Sequence, residues 1–280
     1  MPFRRSNFKV GVYVDSANIY RNGGQKMKYD VLRVFACRDD AEPIRLNAYV
    51  TCDAIRAKRD DSYRDGNTGF HSALRDFGYK VIVKEVIWYH DETGSKYGKA
   101  NADLDLAVDA LLQSENLDRV LIASGDGDFV KVVRALQNKG CRVEVVALDN
   151  VSKRLREEAD MFMSGYLIPN LIPVESTQDL RAPWGATGSR VRGHCRYRSD
   201  QGFGFFSFLK TLESSLWLKD DRVSDSPYET VFFRDKDLPE GVDPASLPSR
   251  DYIFEFELAK SESGDKPRAV EIKLVSTLSS

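Results

Sequence analysis

The sequence is poor in the residues that build soft metal and redox centres. Its four cysteines, Cys37, Cys52, Cys141 and Cys195, are widely scattered, and no pair has C-x-x-C spacing. That excludes a zinc ribbon and a thioredoxin-type motif, and leaves free thiols in a reducing compartment. There are only three histidines, His71, His90 and His194, too dispersed for a histidine-based zinc site. Neither G-x-G-x-x-G nor the Walker pattern G-x-x-x-x-G-K-[ST] occurs, so neither dinucleotide nor P-loop chemistry is indicated. No run of about 18 apolar residues exists, so no membrane span is expected. The first twenty residues carry no apolar stretch before a small-residue cleavage site, so no secretory signal is expected and a cytoplasmic location is. A globally basic character is missing too. Against 43 Asp and Glu stand 41 Lys and Arg, a net charge of −2.

What is present divides into two styles. A chain of 280 residues is long enough for two domains, each with its own core. Over residues 1–168, short β-branched runs alternate with helical patterning. Strands are predicted at 9–14, 44–51, 79–89, 119–123 and 142–147. Helices are predicted at 29–36, 68–77, 102–112, 129–139 and 151–162. Strands separated by helices imply an α/β fold, a parallel sheet covered on both faces. Residues 169–188 hold Pro169, Pro173, Pro183, Gly185 and Gly188 and few apolar positions, which suggests a linker. Residues 189–280 show short strand-like runs at 204–209, 215–218, 230–233, 252–258 and 269–275 between turn signals, which predicts a small all-β barrel or sandwich.

The chemistry of the first half rests on carboxylates. In an open α/β sheet, ligands bind outside the C-terminal ends of the strands. The first strand runs into Asp15-Ser16-Ala17-Asn18. The strand at 119–123 runs into Ser124-Gly125-Asp126-Gly127-Asp128. The helix before that strand opens with Asp103 and Asp105, with Asp109 further along. Each aspartate alone is also a good helix cap. Three separate segments that put acids at one predicted cleft favour a hard divalent cation, Mg²⁺ or Mn²⁺, joining them. Such a site activates water and stabilises an in-line phosphoryl displacement. Asp103 and Asp105 do not share a helix face, so both do not readily ligate one ion.

These segments, together with Lys99-Ala100-Asn101-Ala102 before Asp103, resemble the three motifs of the NYN domain, a PIN-like ribonuclease family. The resemblance runs from about residue 8 to 167. It implies a Rossmann-like three-layer domain and metal-dependent cleavage of RNA. It makes Asp15, Asp103, Asp126 and Asp128 the catalytic, metal-binding set, with Asp103 a candidate to orient or deprotonate the water. It gives Asn18 and Lys99 to substrate. Ala100-Asn101-Ala102 departs from a Gly-Val pair common in the family and removes no ligand.

In the second half, Gly202-Phe203-Gly204-Phe205-Phe206 places aromatics at period 2, so Phe203 and Phe205 share a strand face. The glycines are expected to leave the backbone open to a base. Residues 181–210 contain Arg181, Arg190, Arg192, Arg196, Arg198 and Lys210 against Asp200, a local excess of five positive charges. The alternative is that the phenylalanines are simply barrel core. The order of the Gly-Phe-Gly-Phe run, Val231-Phe232-Phe233-Arg234, Ile253-Phe254-Glu255-Phe256 and Lys266-Pro267-Arg268 resembles a cold-shock domain. That implies a five-stranded OB barrel that stacks single-stranded RNA or DNA. On this reading Tyr197, Phe203, Phe205 and Phe232 form the stacking platform, Arg196 and Arg198 of the basic segment join them in binding substrate, and Phe206 and Phe254 are core. Gln201, Arg234 and the long connection 211–229 depart from the usual pattern.

The expectation is therefore a metal-dependent ribonuclease, its endo or exo mode left open, that binds single-stranded RNA through its OB domain, with no membrane partner; self-association is left open. The alternative is a non-catalytic RNA-binding regulator on a nuclease fold. A haloacid-dehalogenase-type phosphatase would need an Asp-x-Asp pair after the first strand, which Asp15-Ser16-Ala17 lacks.

Overall fold

The computed structural model describes residues 8–90, 93–100, 102–174, 182–212, 216–260 and 267–278, with only the backbone of Tyr97 and Lys99. Two compact units divide the chain. The first comprises Met1–Gln25, Leu32–Ala147 and Val151–Met163; the second comprises Lys26–Val31, Leu148–Asn150 and Ser164–Ser280. Among the described residues no helix is long and apolar enough to cross a membrane.

The α/β part is built on a six-stranded sheet. Its strands are β1 (Lys9–Asp15), β2 (Glu42–Cys52), β3 (Lys80–Glu85), β6 (Arg119–Ala123), β7 (Arg142–Ala147) and β8 (Met161–Ser164), in the order β3-β2-β1-β6-β7-β8. The pairs β1–β2, β1–β6, β2–β3 and β6–β7 are parallel. A separate antiparallel ribbon joins β4 (Ile87–His90) to β5 (Lys96–Lys99). The helices are α1 (Ser16–Arg21), α2 (Tyr29–Ala36), α3 (Ala54–Ala57), α4 (Asp61–Asp76), α5 (Ala102–Gln113), α6 (Val130–Asn138) and α7 (Lys153–Glu158). Central strands β1 and β6 are buried almost throughout, as their unbroken apolar runs require when helices cover both faces. Helix α5 buries Ala102, Leu106 and Ala110, one per turn, into a core with Phe129, Val133 and Leu136.

Two predicted elements divide. Residues 79–89 form not one strand but two: the last bond to β2 is Val86 N–H to the Cys52 carbonyl, after which the chain leaves the sheet for the ribbon. The predicted helix 151–162 stops at Glu158. Asp160 then exchanges hydrogen bonds with Val143, its own N–H to that carbonyl and its carboxylate accepting from that N–H at 2.7 Å, which leads the chain into β8.

The remaining strands close into a barrel: β9 (Arg190–Ser199), β10 (Phe203–Leu209), β11 (Tyr228–Arg234), β12 (Tyr252–Ala259) and β13 (Arg268–Thr277), in the order β10-β11-β13-β12-β9. All its pairs are antiparallel except β11–β13. The interior holds Val191, Phe206, Phe208, Val231, Phe233, Phe254 and Phe256, and Phe206 stacks on Phe233 at 4.2 Å and on Phe256 at 5.0 Å. The core placement expected for Phe206 and Phe254 is what the barrel contains. The strand expected at 215–218 is not one: Leu216 and Trp217 form a turn, Leu216 buried and Trp217 exposed, while Ser215 lies outside the described residues.

Strand β9 was not legible, because a segment with four arginines reads as solvated. Its first two arginines are in fact buried. Arg190 and Arg192 each hold one oxygen of Glu255 on neighbouring β12, at 3.0 and 2.9 Å. Arg192 also donates to the carbonyls of Ile172 and Pro173. A buried charge survives only when its partner and its hydrogen bonds come with it, and here both do.

Candidate functional site: acidic strand ends and an aromatic barrel face

Strands β1 and β6 lie side by side, and their C-terminal ends are tied together by polar side chains. Asp15 closes β1 and caps α1, one carboxylate oxygen accepting from Asn18 N–H at 2.9 Å. Its other oxygen accepts from the Ser124 hydroxyl at 3.2 Å. Ser124, wholly buried, also accepts from Asp126 N–H at 3.2 Å. Asn18 Oδ1 crosses back to accept from Gly125 N–H at 2.9 Å, and Asp126 accepts from Asp128 N–H at 2.9 Å. Ser124 thus carries the junction, although only its position between β6 and Asp126 marked it in the sequence. Gly127 is a glycine for a local reason: a Cβ there would stand 2.8 Å from Ser152 Oγ, where the chain before α7 passes.

Asp103, in the first turn of α5, enters the same field. Burial raises its pKa, and the charges of Asp15, Asp126 and Asp128 raise it further, against a partial lowering by Arg21. Burial also raises Asp15, with Asp126 adding and Asn18, Ser124 and Arg21 opposing. Asp103 therefore senses all three of the other predicted aspartates, and Asp15 senses Asp126. Asp105 and Asp109 are used elsewhere. Asp105 pairs with Lys84 at 2.6 Å. Asp109 accepts from the Tyr49 hydroxyl at 2.7 Å, in a polar cluster with Asn47, Gln113 and Tyr13. The side chain of Lys99 lies outside the described residues.

The donor chemistry of the strand ends fits a hard divalent cation: carboxylate oxygens and an amide, without thiolate or imidazole. None of Asp15, Asp103, Asp126 and Asp128 is matched by a lysine or arginine ion pair among the described residues. As placed, the described residues contain no group of three or more His, Cys, Asp or Glu side chains arranged to hold a metal ion.

The second candidate surface is on the barrel. Tyr197, Phe203, Phe205 and Phe232 come together on its outer face. Phe203 stacks on Phe232 at 5.9 Å; Phe205 meets Phe232 at 5.9 Å and Tyr197 at 6.3 Å. Tyr197 is half exposed and the three phenylalanines are partly so. Gly204 corrects one expectation. It does not open the backbone to a base. It faces inward, where a Cβ would stand 2.6 Å from the Phe233 ring.

The local positive excess is also corrected. Arg190 and Arg192 are held by Glu255, Arg198 by Asp235 at 2.6 Å, Arg196 by Asp221 at 3.4 Å, and Lys210 by Glu229 at 2.8 Å. Arg181 lies outside the described residues. The count along the chain missed carboxylates that the barrel brings in from other strands and from the 211–227 connection.

The family model named NYN domain matches residues 9–169. The Low amplitude and bright protein LabA of Synechococcus elongatus is 29% identical over 170 residues, covering 58% of this chain and 86% of that protein. A solved structure, of a protein of unknown function, VPA0982, from Vibrio parahaemolyticus, is 26% identical with a TM-score of 0.44, covering 56% of this chain and 93% of the other.

Proposed function

This chain belongs to the NYN domain family, and from that premise we propose that it is a metal-dependent ribonuclease that cleaves single-stranded RNA. The observation that carries the reading is the meeting of Asp103, in the first turn of α5, with Asp15, Asp126 and Asp128 beyond the ends of β1 and β6, the carboxyls of Asp15 and Asp103 both raised by burial and by their acidic neighbours. Carboxylates so placed repel unless a cation joins them. In this reading the four aspartates hold Mg²⁺ or Mn²⁺, which when bound supplies Lewis-acid polarisation of a phosphate oxygen and an acidified water. Ser124 and Asn18 keep Asp15 and the 125–128 turn in register. Asp103, on a helix rather than a strand, is free to orient the attacking water and take its proton. Lys99 steadies the phosphate.

The barrel is read as an OB fold of cold-shock type. The closed five-stranded barrel and its clustered aromatic face support this. Bases stacking on Tyr197, Phe203, Phe205 and Phe232 would each contribute about 1–3 kcal/mol. In this reading Arg196 and Arg198 line the edge of that face while engaged with carboxylates.

The test is cleavage of labelled single-stranded RNA by the purified chain with and without Mn²⁺ or Mg²⁺. Cleavage is expected only with metal. Asp126→Asn should lower the rate by about 100-fold or more, several kcal/mol of lost metal stabilisation. Intact RNA with metal, while RNA still binds, would support a second reading, an RNA-binding regulator on the nuclease fold.

A further inference from the structure

Residues 216–227 of the connection between β10 and β11 fold against the barrel. Side chains of three barrel residues pin them. Arg196 on β9 donates to the Lys219 carbonyl at 2.6 Å. Thr230 on β11 donates to Asp221 at 2.6 Å, and Tyr228 donates to the Leu216 carbonyl at 3.2 Å. Strand register says where this lies. Tyr197, Phe205 and Phe232 form one cross-strand row, and His194, Ser207 and Thr230 form the next. Such rows are about 7 Å apart. Ser207 and Thr230 point outward yet are buried, so the connection covers the second row and ends the aromatic floor.

The charges of this wall are uneven. Asp220 is matched by Arg222 at 2.6 Å, and Asp221 by Arg196 and Thr230. Lys219 and Arg250 are exposed and have no ion pair among the described residues. Both flank β9: Lys219 through its carbonyl on Arg196, and Arg250 two residues before β12, whose Phe254 pairs with Gly193 beside His194; His194 in turn is pushed down to about 4 by burial first and by Arg250, Lys219 and Arg196 next. Two uncompensated cations at the edge of a stacking floor match a polymer with π-faces on one side and phosphates on the other.

We infer that residues 216–227 form an end wall to the aromatic face, where Lys219 and Arg250 grip a backbone phosphate of a single-stranded nucleic acid whose bases lie on Tyr197, Phe205, Phe203 and Phe232. The inference rests on the stacking reading above and adds to it a site that limits and anchors the bound strand. Arg196 is a positioning residue here, holding the Lys219 carbonyl.

The test is fluorescence anisotropy of full-length protein with labelled oligouridylate and oligothymidylate of four and ten nucleotides, in EDTA and over a series of salt concentrations. Lys219→Ala with Arg250→Ala should weaken binding of the ten-mers about tenfold and reduce the salt slope by about 0.7 per lost phosphate contact. The four-mers, which the floor alone accommodates, should change less. Equal losses with RNA and DNA would mean the wall reads phosphate alone, whereas a loss with RNA only would add the 2′-hydroxyl; either outcome supports the grip. Wild-type affinity and slope in the double variant, while Phe203→Ala with Phe205→Ala still weakens binding, would overturn the wall and leave the floor. If the phenylalanine variant binds normally, the stacking reading fails and takes the inference with it. These side chains are exposed or partly exposed, and a circular dichroism melt checks that each variant folds.

Discussion

At Asp103 the chemistry that would serve catalysis works against the fold. Its carboxylate sits partly buried in the field of Asp15, Asp126 and Asp128. Removing that charge relieves repulsion, so metal-free Asp103→Asn should melt above metal-free wild type. Added Mn²⁺ should raise the wild-type melting temperature by mass action and raise that of the variant less. Calorimetry with and without EDTA measures both, and a variant that melts lower without metal would contradict the crowding. Gly204 is sensitive for the opposite reason, because space rather than charge is short. Gly204→Ala drives a methyl group into the Phe233 ring and should destabilise the protein by about 1–3 kcal/mol in urea unfolding. The positions of Asp15, Asp126 and Asp128 beyond the ends of β1 and β6 were legible because strand ends can be placed from apolar runs, and that of Asp103 from where the apolar spacing of α5 begins. Ser124 was not, since a serine after a strand looks the same whether or not it bridges two loops.

Among the elements, those whose sequence matches their burial were predicted nearly to the residue: α2, β6 and β7 have the expected bounds. Those that depend on a distant partner were misread, and β9 is the clearest case, since Glu255 makes its arginines buriable. The same device occurs on β7. Glu144 is fully buried and accepts from Arg38 at 2.6 Å and Arg142 at 2.8 Å, with Arg119 at 3.5 Å. Burial acts to raise its pKa, but the hydrogen bonds and charges of these arginines outweigh it, and the carboxyl is held below the ordinary glutamate range. Its contribution to stability is therefore complete above the unfolded value, about 4.3, and is lost as pH falls through that value toward the folded one. Glu144→Gln should cost about 3–5 kcal/mol at pH 7. It should also flatten the loss of wild-type stability below about pH 4.3, measured by denaturant melts across pH. An equal acid slope in both proteins would assign the acid sensitivity elsewhere.

For the molecule as a whole, the net charge of −2 hides opposed local requirements. One unit concentrates carboxylates at strand ends; the other pairs all four arginines of β9 and leaves cations at one edge. Binding and cleavage should then separate under mutation. Phe203→Ala with Phe205→Ala should raise KM for RNA about tenfold or more, from the stacking lost, and leave kcat within about twofold, because uniform binding rather than transition-state stabilisation is removed. A fall in kcat with KM unchanged would place these rings in the chemical step. The buried Arg190–Glu255–Arg192 cluster has a further consequence, in time rather than in energy. It joins residues 63 and 65 positions apart. Neither arginine can leave water until the strand carrying Glu255 arrives, so a half-formed barrel with β9 docked alone is disfavoured. Closure is thereby pushed into one late, non-local event, the kind that slows folding and makes partial barrels rare.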